Sequence, residues 1–162
     1  MEEKKFSLDE ANRYFGVEFN NAVFALYEVD DLSEAEKLEI VSCAHASLLH
    51  WQKFSGHKPA NTQRGLYMIA KAYVKVEDKL KALEYAQKCF EFTQANKTEL
   101  EDFDIAYSHE ILARAGALNE SKALFQMHYD ILIKLVPNIA VAGDREWLEK
   151  DLAGGPWFGF KV

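Results

Sequence analysis

Hydrophobic side chains recur every three or four positions along most of this chain, which is the spacing of one face of an α-helix. Polar turns, some with glycine or proline, separate the stretches that carry this spacing. No stretch alternates apolar and polar residues for long enough to predict a β-strand. The pattern predicts an all-α protein with about six or seven helices, at residues 7–30, 33–55, 61–76, 79–95, 100–118, 121–135 and 144–152.

Two helix starts carry a recognisable capping signal. Ser7 stands three residues before Glu10, and Ser33 stands three residues before Glu36, which is the spacing of a capping box. Gly56 is predicted to cap the end of the second helix, because glycine leaves the helical conformation at little steric cost. The predicted buried face of that helix consists of Leu38, Val41, Ala44, Leu48 and Trp51, with Phe54 at its end.

The segment 61–96 has the pattern of two antiparallel helices that pack closely. The polar pair Glu77-Asp78 separates its two helical stretches. Small residues recur where the helices would cross, and larger residues flank them, so the two helices are expected to form a hairpin. The residues at helical spacing are Leu66, Ile69, Ala70 and Tyr73 in the first stretch and Ala82, Leu83, Ala86, Cys89 and Phe90 in the second.

Residues 63–96 span 34 positions, which is the period of the tetratricopeptide repeat (TPR), and this unit resembles such a repeat. Residues 100–136 resemble a second, degenerate unit, with a turn predicted to be about two residues shorter. Residues 1–56 are predicted to form an N-terminal helical hairpin, and residues 143–162 a short helix with an aromatic tail. The resemblance implies one TPR-like domain over residues 1–162, built as a short superhelical array of stacked antiparallel hairpins.

Most of the chain also resembles a group of small bacterial TPR-like proteins with no assigned function. That resemblance implies the fold and a bacterial origin, and it brings no reaction or ligand with it. The segments that carry it are 44–47, 50–51, 61–65, 102–107 and 155–159.

Charge and composition narrow the function classes. The formal net charge is −7, so no nucleic-acid partner is expected, since binding to phosphates needs a cationic face. No apolar run approaches the roughly 20 residues that cross a bilayer, and residues 1–5 are not followed by the apolar core of a signal peptide. A cytoplasmic protein without a membrane partner is therefore predicted. Cys43 and Cys89 are expected to be free buried thiols, with a disulfide between them left open.

The sequence contains no phosphate-binding glycine loop, no dinucleotide fingerprint and no HExxH motif. We therefore expect a binding protein rather than an enzyme, with no catalytic residue, metal or cofactor. One alternative is a small-molecule or metal-dependent pocket. The opposing interpretation is that each histidine is an ordinary hydrogen-bonded residue of its helix. The alternative pocket would consist of His45, His50, Trp51, Asp104 and His109.

The TPR resemblance implies a concave surface that is lined by the first helix of each unit and binds a protein or peptide. Arginine and tyrosine often anchor such interfaces, and Arg64, Lys71 and Arg114 suit a carboxylate or phosphate. The alternative is that Arg64, Glu110 and Arg114 pair with each other or with Asp104. The predicted groove residues are Arg64, Tyr67, Lys71, Lys75, Tyr107, Glu110 and Arg114, each set lying on one stripe of its helix.

Three aromatic residues, Trp157, Phe158 and Phe160, lie in the glycine-rich C-terminal tail. If they were exposed, they would form an unusual apolar patch. One prediction is that the tail docks onto the last helices as a lid over the core. The other is that these residues mediate self-association, as in a homodimer.

Overall fold

The computed structural model describes residues 6–161, so the signal-peptide prediction, which concerns residues 1–5, lies outside the described part. Within residues 6–161 the chain forms seven α-helices, two short 3₁₀ helices and no strand, which confirms the all-α prediction. The 3₁₀ helices are Lys97–Glu99 and Val136–Asn138. The α-helices are α1 (Leu8–Tyr27), α2 (Glu34–Lys53), α3 (Pro59–Lys75), α4 (Lys79–Ala95), α5 (Asp102–Leu118), α6 (Lys122–Leu135) and α7 (Ala142–Gly154).

Neighbouring helices pack as three hairpins, α1 with α2, α3 with α4 and α5 with α6. Helix α3 contacts both α1 and α5, while α2 packs against α3 and α4 against α5, which joins each hairpin to the next. Helix α7 packs against α5 and the second 3₁₀ helix. Ala70, Ala82 and Ala86 are fully buried at the centre of this array, as their small size at a helix crossing predicts.

Both predicted capping boxes are present. The hydroxyl of Ser7 accepts from the amide of Glu10 at 3.1 Å, and the Glu10 carboxylate accepts from the Ser7 amide at 2.8 Å. Ser33 and Glu36 make the same pair of bonds. The predicted cap at Gly56 is wrong, because α2 ends at Lys53 and the extended conformation of Phe54 leads the chain out of the helix.

The predicted difference in turn length is also wrong. Three residues separate α3 from α4, and three separate α5 from α6. The middle residues, Glu77 and Glu120, both have left-handed backbone conformations, with φ of 58° and 59°. The next amide in each turn bonds back to the helix, from Asp78 to the Tyr73 carbonyl at 3.0 Å and from Ser121 at 2.9 Å. Counted from these matching turns, Lys71 and Arg114 occupy equivalent positions in the two hairpins.

Close helix crossings explain two of the glycines. A Cβ atom at Gly116 would lie 2.8 Å from the backbone nitrogen of Phe125, so only glycine lets α5 and α6 approach this closely. A Cβ at Gly65 would lie 2.7 Å from the Leu48 side chain of α2.

The buried face of α2 differs from the predicted one. It includes Ile40 and excludes Leu38, which is 71% exposed.

Candidate functional site

A concave cavity of about 660 Å³, called the groove below, lies between α1, α3, α5 and α7. Aromatic rings and charged groups share its lining, and Phe24 and Trp147 stand at 47% and 63% exposure. A second cavity of about 460 Å³, called the side cavity, continues toward the C-terminal tail and shares five residues with the groove: Tyr27, Glu28, Lys71, Lys150 and Asp151. The groove lining is Asn20, Phe24, Tyr27 and Glu28 from α1 and the residue after it; Gln63, Arg64, Tyr67, Met68 and Lys71 from α3; Phe103, Asp104 and Tyr107 from α5; and Asp144, Trp147, Lys150 and Asp151 from α7.

Arg64 lies at one end of the groove and is neutralised within the chain. Its guanidinium donates to both carboxylate oxygens of Asp104, from Nε at 2.8 Å and from the terminal nitrogen at 3.1 Å. The same group lies 4.8 Å from the centre of the Phe103 ring. This bidentate arrangement joins α3 to α5 and occupies the face of the guanidinium that would otherwise hold a carboxylate.

Lys71 lies in the floor of the groove at only 3% exposure. Its ammonium stands 4.5 Å from the ring centre of Tyr27, 5.6 Å from that of Tyr67 and 5.9 Å from that of Phe24. It also forms a long ion pair of 3.5 Å with Asp151 of α7. The ring faces and the carboxylate together compensate a cation that has lost most of its water.

Asp151 joins α7 to the other helices at the floor of the groove. Besides the ion pair with Lys71, its carboxylate accepts from the hydroxyl of Tyr107 at 2.9 Å. Its backbone carbonyl accepts from the guanidinium of Arg114. Helix α7 therefore forms the fourth wall of the groove through polar contacts with α3 and α5.

Arg114 and Glu110 form a buried ion pair on α5, with side-chain exposures of 1% and 0%. The Arg114 guanidinium also donates to the carbonyl of Pro156 at 3.3 Å and lies 4.3 Å from the ring centre of Trp157. Arg114 thus holds the C-terminal tail and lines the side cavity instead of the groove. Its pairing with Glu110 matches the alternative interpretation of these residues.

Three buried polar atoms among residues 6–161 have no hydrogen-bond partner: the hydroxyls of Tyr27 and Tyr67 and one carboxylate oxygen of Glu110. The pKa of Tyr27 is raised to about 12, mainly by burial; the charge of Arg114 opposes this rise, and the charges of Glu110 and Asp151 contribute to it. Burial likewise raises the pKa of Tyr67 well above its ordinary value. Both hydroxyls stay protonated at neutral pH and keep a hydrogen to donate.

The structure brings together four of the seven residues predicted for the groove. Arg64, Tyr67, Lys71 and Tyr107 line it. The other three lie elsewhere: Lys75 lines the side cavity and donates to the carbonyl of Val29, Arg114 lines the same cavity, and Glu110 is buried beneath it.

Sequence reasoning missed the two outer walls of the groove. Phe24 and Tyr27 come from α1, and Trp147 and Asp151 come from α7. The groove residues predicted from the sequence lie only on the third and fifth helices, so neither the N-terminal hairpin nor the short C-terminal helix is expected to contribute. The one available signal was that Phe24 and Tyr27 are three apart at the end of an amphipathic helix, which places them on one face.

The residues of the alternative histidine pocket lie apart. His45 contacts the hydroxyl of Tyr73 at 3.2 Å, and His50 contacts the amide oxygen of Asn12 at 2.9 Å. The Nδ1 atoms of His109 and His128 lie 2.9 Å apart. Within residues 6–161 no three histidine, cysteine or acidic side chains are grouped to hold a metal ion.

The remaining members of that pocket also have other surroundings. Trp51 stacks edge-on against Phe54, with ring centres 6.0 Å apart, and lies over Gly16. Asp104 forms an ion pair with Arg64. Each histidine of the predicted pocket therefore has a partner on its own part of the fold, as the opposing interpretation states.

The C-terminal tail docks onto its own chain. Trp157 is 7% exposed, and its indole nitrogen donates to the carbonyl of Leu152 at 2.9 Å. Its ring meets that of Phe125 at 5.9 Å, and the ring of Phe160 meets the same phenylalanine at 4.6 Å. Phe158 packs against the main core. These contacts match the lid prediction, and self-association through the same residues stays a prediction.

Cys43 and Cys89 are both buried and free, as expected. None of the helices in residues 6–161 has the length and apolar character to cross a bilayer.

The chain matches no protein-family model, and comparison with curated proteins and with solved structures finds no significant match.

Proposed function

We propose that this protein binds an extended peptide segment of a partner protein in the groove. The observation that carries the proposal is the lining: four helices present aromatic and charged side chains around one cavity of about 660 Å³. The volume is in the range of specific ligand sites. Because the groove and the side cavity share five lining residues, a ligand can extend from one into the other, which suits an extended chain better than a compact ligand.

Exposed aromatic rings at the rim favour the same proposal. Trp147 and Phe24 are 63% and 47% exposed although each lines the groove. Large aromatic side chains contribute much of the binding energy at protein interfaces, because they bury a large area with few rotatable bonds. Both rings would lose their solvent contact to a bound segment.

We also infer that the array is of the tetratricopeptide type. The first helix of each hairpin lines the concave groove, and the two matching turns at Glu77 and Glu120 make the second and third hairpins similar units. The proposal includes a bacterial origin, which rests on the sequence resemblance, and a cytoplasmic location, which the free thiols of Cys43 and Cys89 favour.

The test is selection of a random peptide display library on the full chain, followed by fluorescence anisotropy with the enriched peptides. The double variant Phe24→Ala/Trp147→Ala should weaken binding about tenfold or more, since it removes two anchoring rings. A matched control, Leu80→Ala/Met127→Ala, removes two apolar side chains that are 80% and 60% exposed and lie outside both cavities. Equal losses in the two variants, or unchanged binding by the groove variant, would contradict the proposal.

Tyr67 and Tyr107 are poor targets for this test. Tyr67 is 7% exposed, and the hydroxyl of Tyr107 holds Asp151, so their removal would damage the fold along with the groove. The exposed rim residues avoid that confusion.

A further inference from the structure

The charges that the groove leaves without a partner are mostly negative. Within residues 6–161, the carboxylates of Glu28 and Asp144 line the groove and take part in no hydrogen bond or ion pair. The carboxylates of Asp30 and Glu77 line the side cavity and, within the described residues, also take part in no hydrogen bond or ion pair. The unpaired carboxylates therefore extend along both parts of the site.

The cations of the same site are already compensated. Arg64 pairs with Asp104, Lys71 with Asp151 and three ring faces, and Arg114 with Glu110. Lys75 donates to a backbone carbonyl. Lys150 has one described contact, with the ring of Trp147 at 5.0 Å. A ligand that spans the groove and the side cavity thus meets, among the described residues, four unpaired carboxylates and two cations without a carboxylate partner, Lys75 and Lys150.

A residue of the groove lining has a buried hydroxyl without a hydrogen bond in the described part of the chain. Tyr67 lines the groove and is 7% exposed, yet its hydroxyl has no partner. A buried hydroxyl without a hydrogen bond is costly.

From this distribution of charge we propose that the segment bound in the groove is basic, with lysine or arginine side chains that meet Glu28 and Asp144. This inference rests on the proposed function and refines it. The exposed ring of Trp147, three residues after Asp144 on α7, adds an apolar surface for the aliphatic part of such a side chain. The apolar stems of lysine or arginine pack against rings such as Phe24 while the charged ends reach the carboxylates.

This refinement reverses the sequence expectation for the site. Arg64 and Lys71 on one predicted helix and Arg114 on another suggested a carboxylate or phosphate ligand. Asp104, Asp151 and Glu110 neutralise those cations from other positions in the fold, so the charge that remains for a ligand to neutralise is negative.

In the first experiment, a random peptide display library is selected on the full chain. Enriched peptides that the Phe24→Ala/Trp147→Ala variant does not retain are then sequenced, and their net charge is compared with that of the starting library. A clear excess of lysine and arginine over the starting library is expected. Enrichment of neutral or acidic sequences that still depend on the groove would overturn this inference and leave the proposed function standing. If no groove-dependent sequence is enriched, both fail.

The second experiment measures the affinity of an enriched peptide for Glu28→Gln/Asp144→Asn by fluorescence anisotropy. Loss of two exposed ion pairs should weaken binding about fivefold or more at low salt, and the loss should shrink near physiological salt. The control, Glu146→Gln/Glu149→Gln, makes the same change in net charge at exposed positions of α7 outside both cavities. An equal effect of the control would show attraction to the overall charge of −7 and overturn the inference.

Discussion

The buried pair of His109 and His128 makes a quantitative prediction about stability and pH. The two Nδ1 atoms lie 2.9 Å apart between α5 and α6, and both rings meet that of Phe90 edge-on at 5.2 Å. One ring must donate and the other accept, so the contact cannot persist if both Nδ1 atoms carry a proton. Burial, reinforced by the charges of His128 and Lys97, lowers the pKa of His109 to about 4.

The sign follows from comparing the folded and unfolded chains. His109 has a pKa near 6.5 when unfolded and about 4 when folded, so the unfolded chain binds more protons between these values. The contribution of the neutral ring to the free energy of unfolding is fully present above about pH 6.5 and is lost as the pH falls toward about 4. Between about pH 7.5 and about pH 5 the loss from His109 alone is about 2 kcal/mol.

Urea denaturation of the full chain at these two pH values measures the effect. The variant His109→Gln cannot take up the proton, so its stability should fall by about 2 kcal/mol less than that of the wild type. The control His57→Gln makes the same chemical change at an exposed residue and should behave like the wild type. Equal losses in the wild type and His109→Gln would refute the reasoning.

Three further predictions concern the elements that hold the groove together, each checked by urea denaturation. Trp157→Ala should destabilise the fold by about 3 kcal/mol, because the indole is buried against Phe125 and Arg114; a change below about 1 kcal/mol would show that the tail is not firmly docked. Gly116→Ala should cost about 1–3 kcal/mol through the contact with Phe125, whereas Gly143→Ala, with open space around it, should be neutral or stabilising; equal effects would refute the close crossing. Glu110→Gln should cost about 3 kcal/mol by leaving Arg114 buried without its carboxylate, and an unchanged midpoint would contradict that pairing.

Local signals were sufficient to predict the helices. The capping boxes at Ser7 and Ser33 fix two helix starts, and the predicted bounds of the fourth helix match α4, Lys79–Ala95. These features depend on residues within one turn of each other, so the sequence alone contains their physical cause.

The predictions failed where a distant part of the chain decides. Leu38 fits the apolar spacing of α2, but α1 and α3 pack against other faces of this helix and leave Leu38 exposed to solvent. The equal turns at Glu77 and Glu120 depend on left-handed backbone conformations that glutamate seldom adopts, so no residue type in either turn indicates them.

Only part of the candidate site could be predicted, because distant parts of the chain also decide its charges. Helical spacing placed Arg64, Tyr67 and Lys71 on one stripe, and they do line the groove. It left open whether Asp104 of α5 pairs with Arg64, and it contained no sign that Asp151 of α7 pairs with Lys71. The charge available to a ligand depends on these tertiary contacts, and no local pattern encodes them.

The most direct test of the central claim is to map a library-selected peptide onto the protein by the shifts of backbone amide signals in nuclear magnetic resonance spectra. The account predicts that the largest changes fall on residues around the groove, such as Phe24, Lys71 and Trp147. Changes concentrated on the exposed face of α6, at Met127 and Ile131, with the groove signals unmoved, would contradict it.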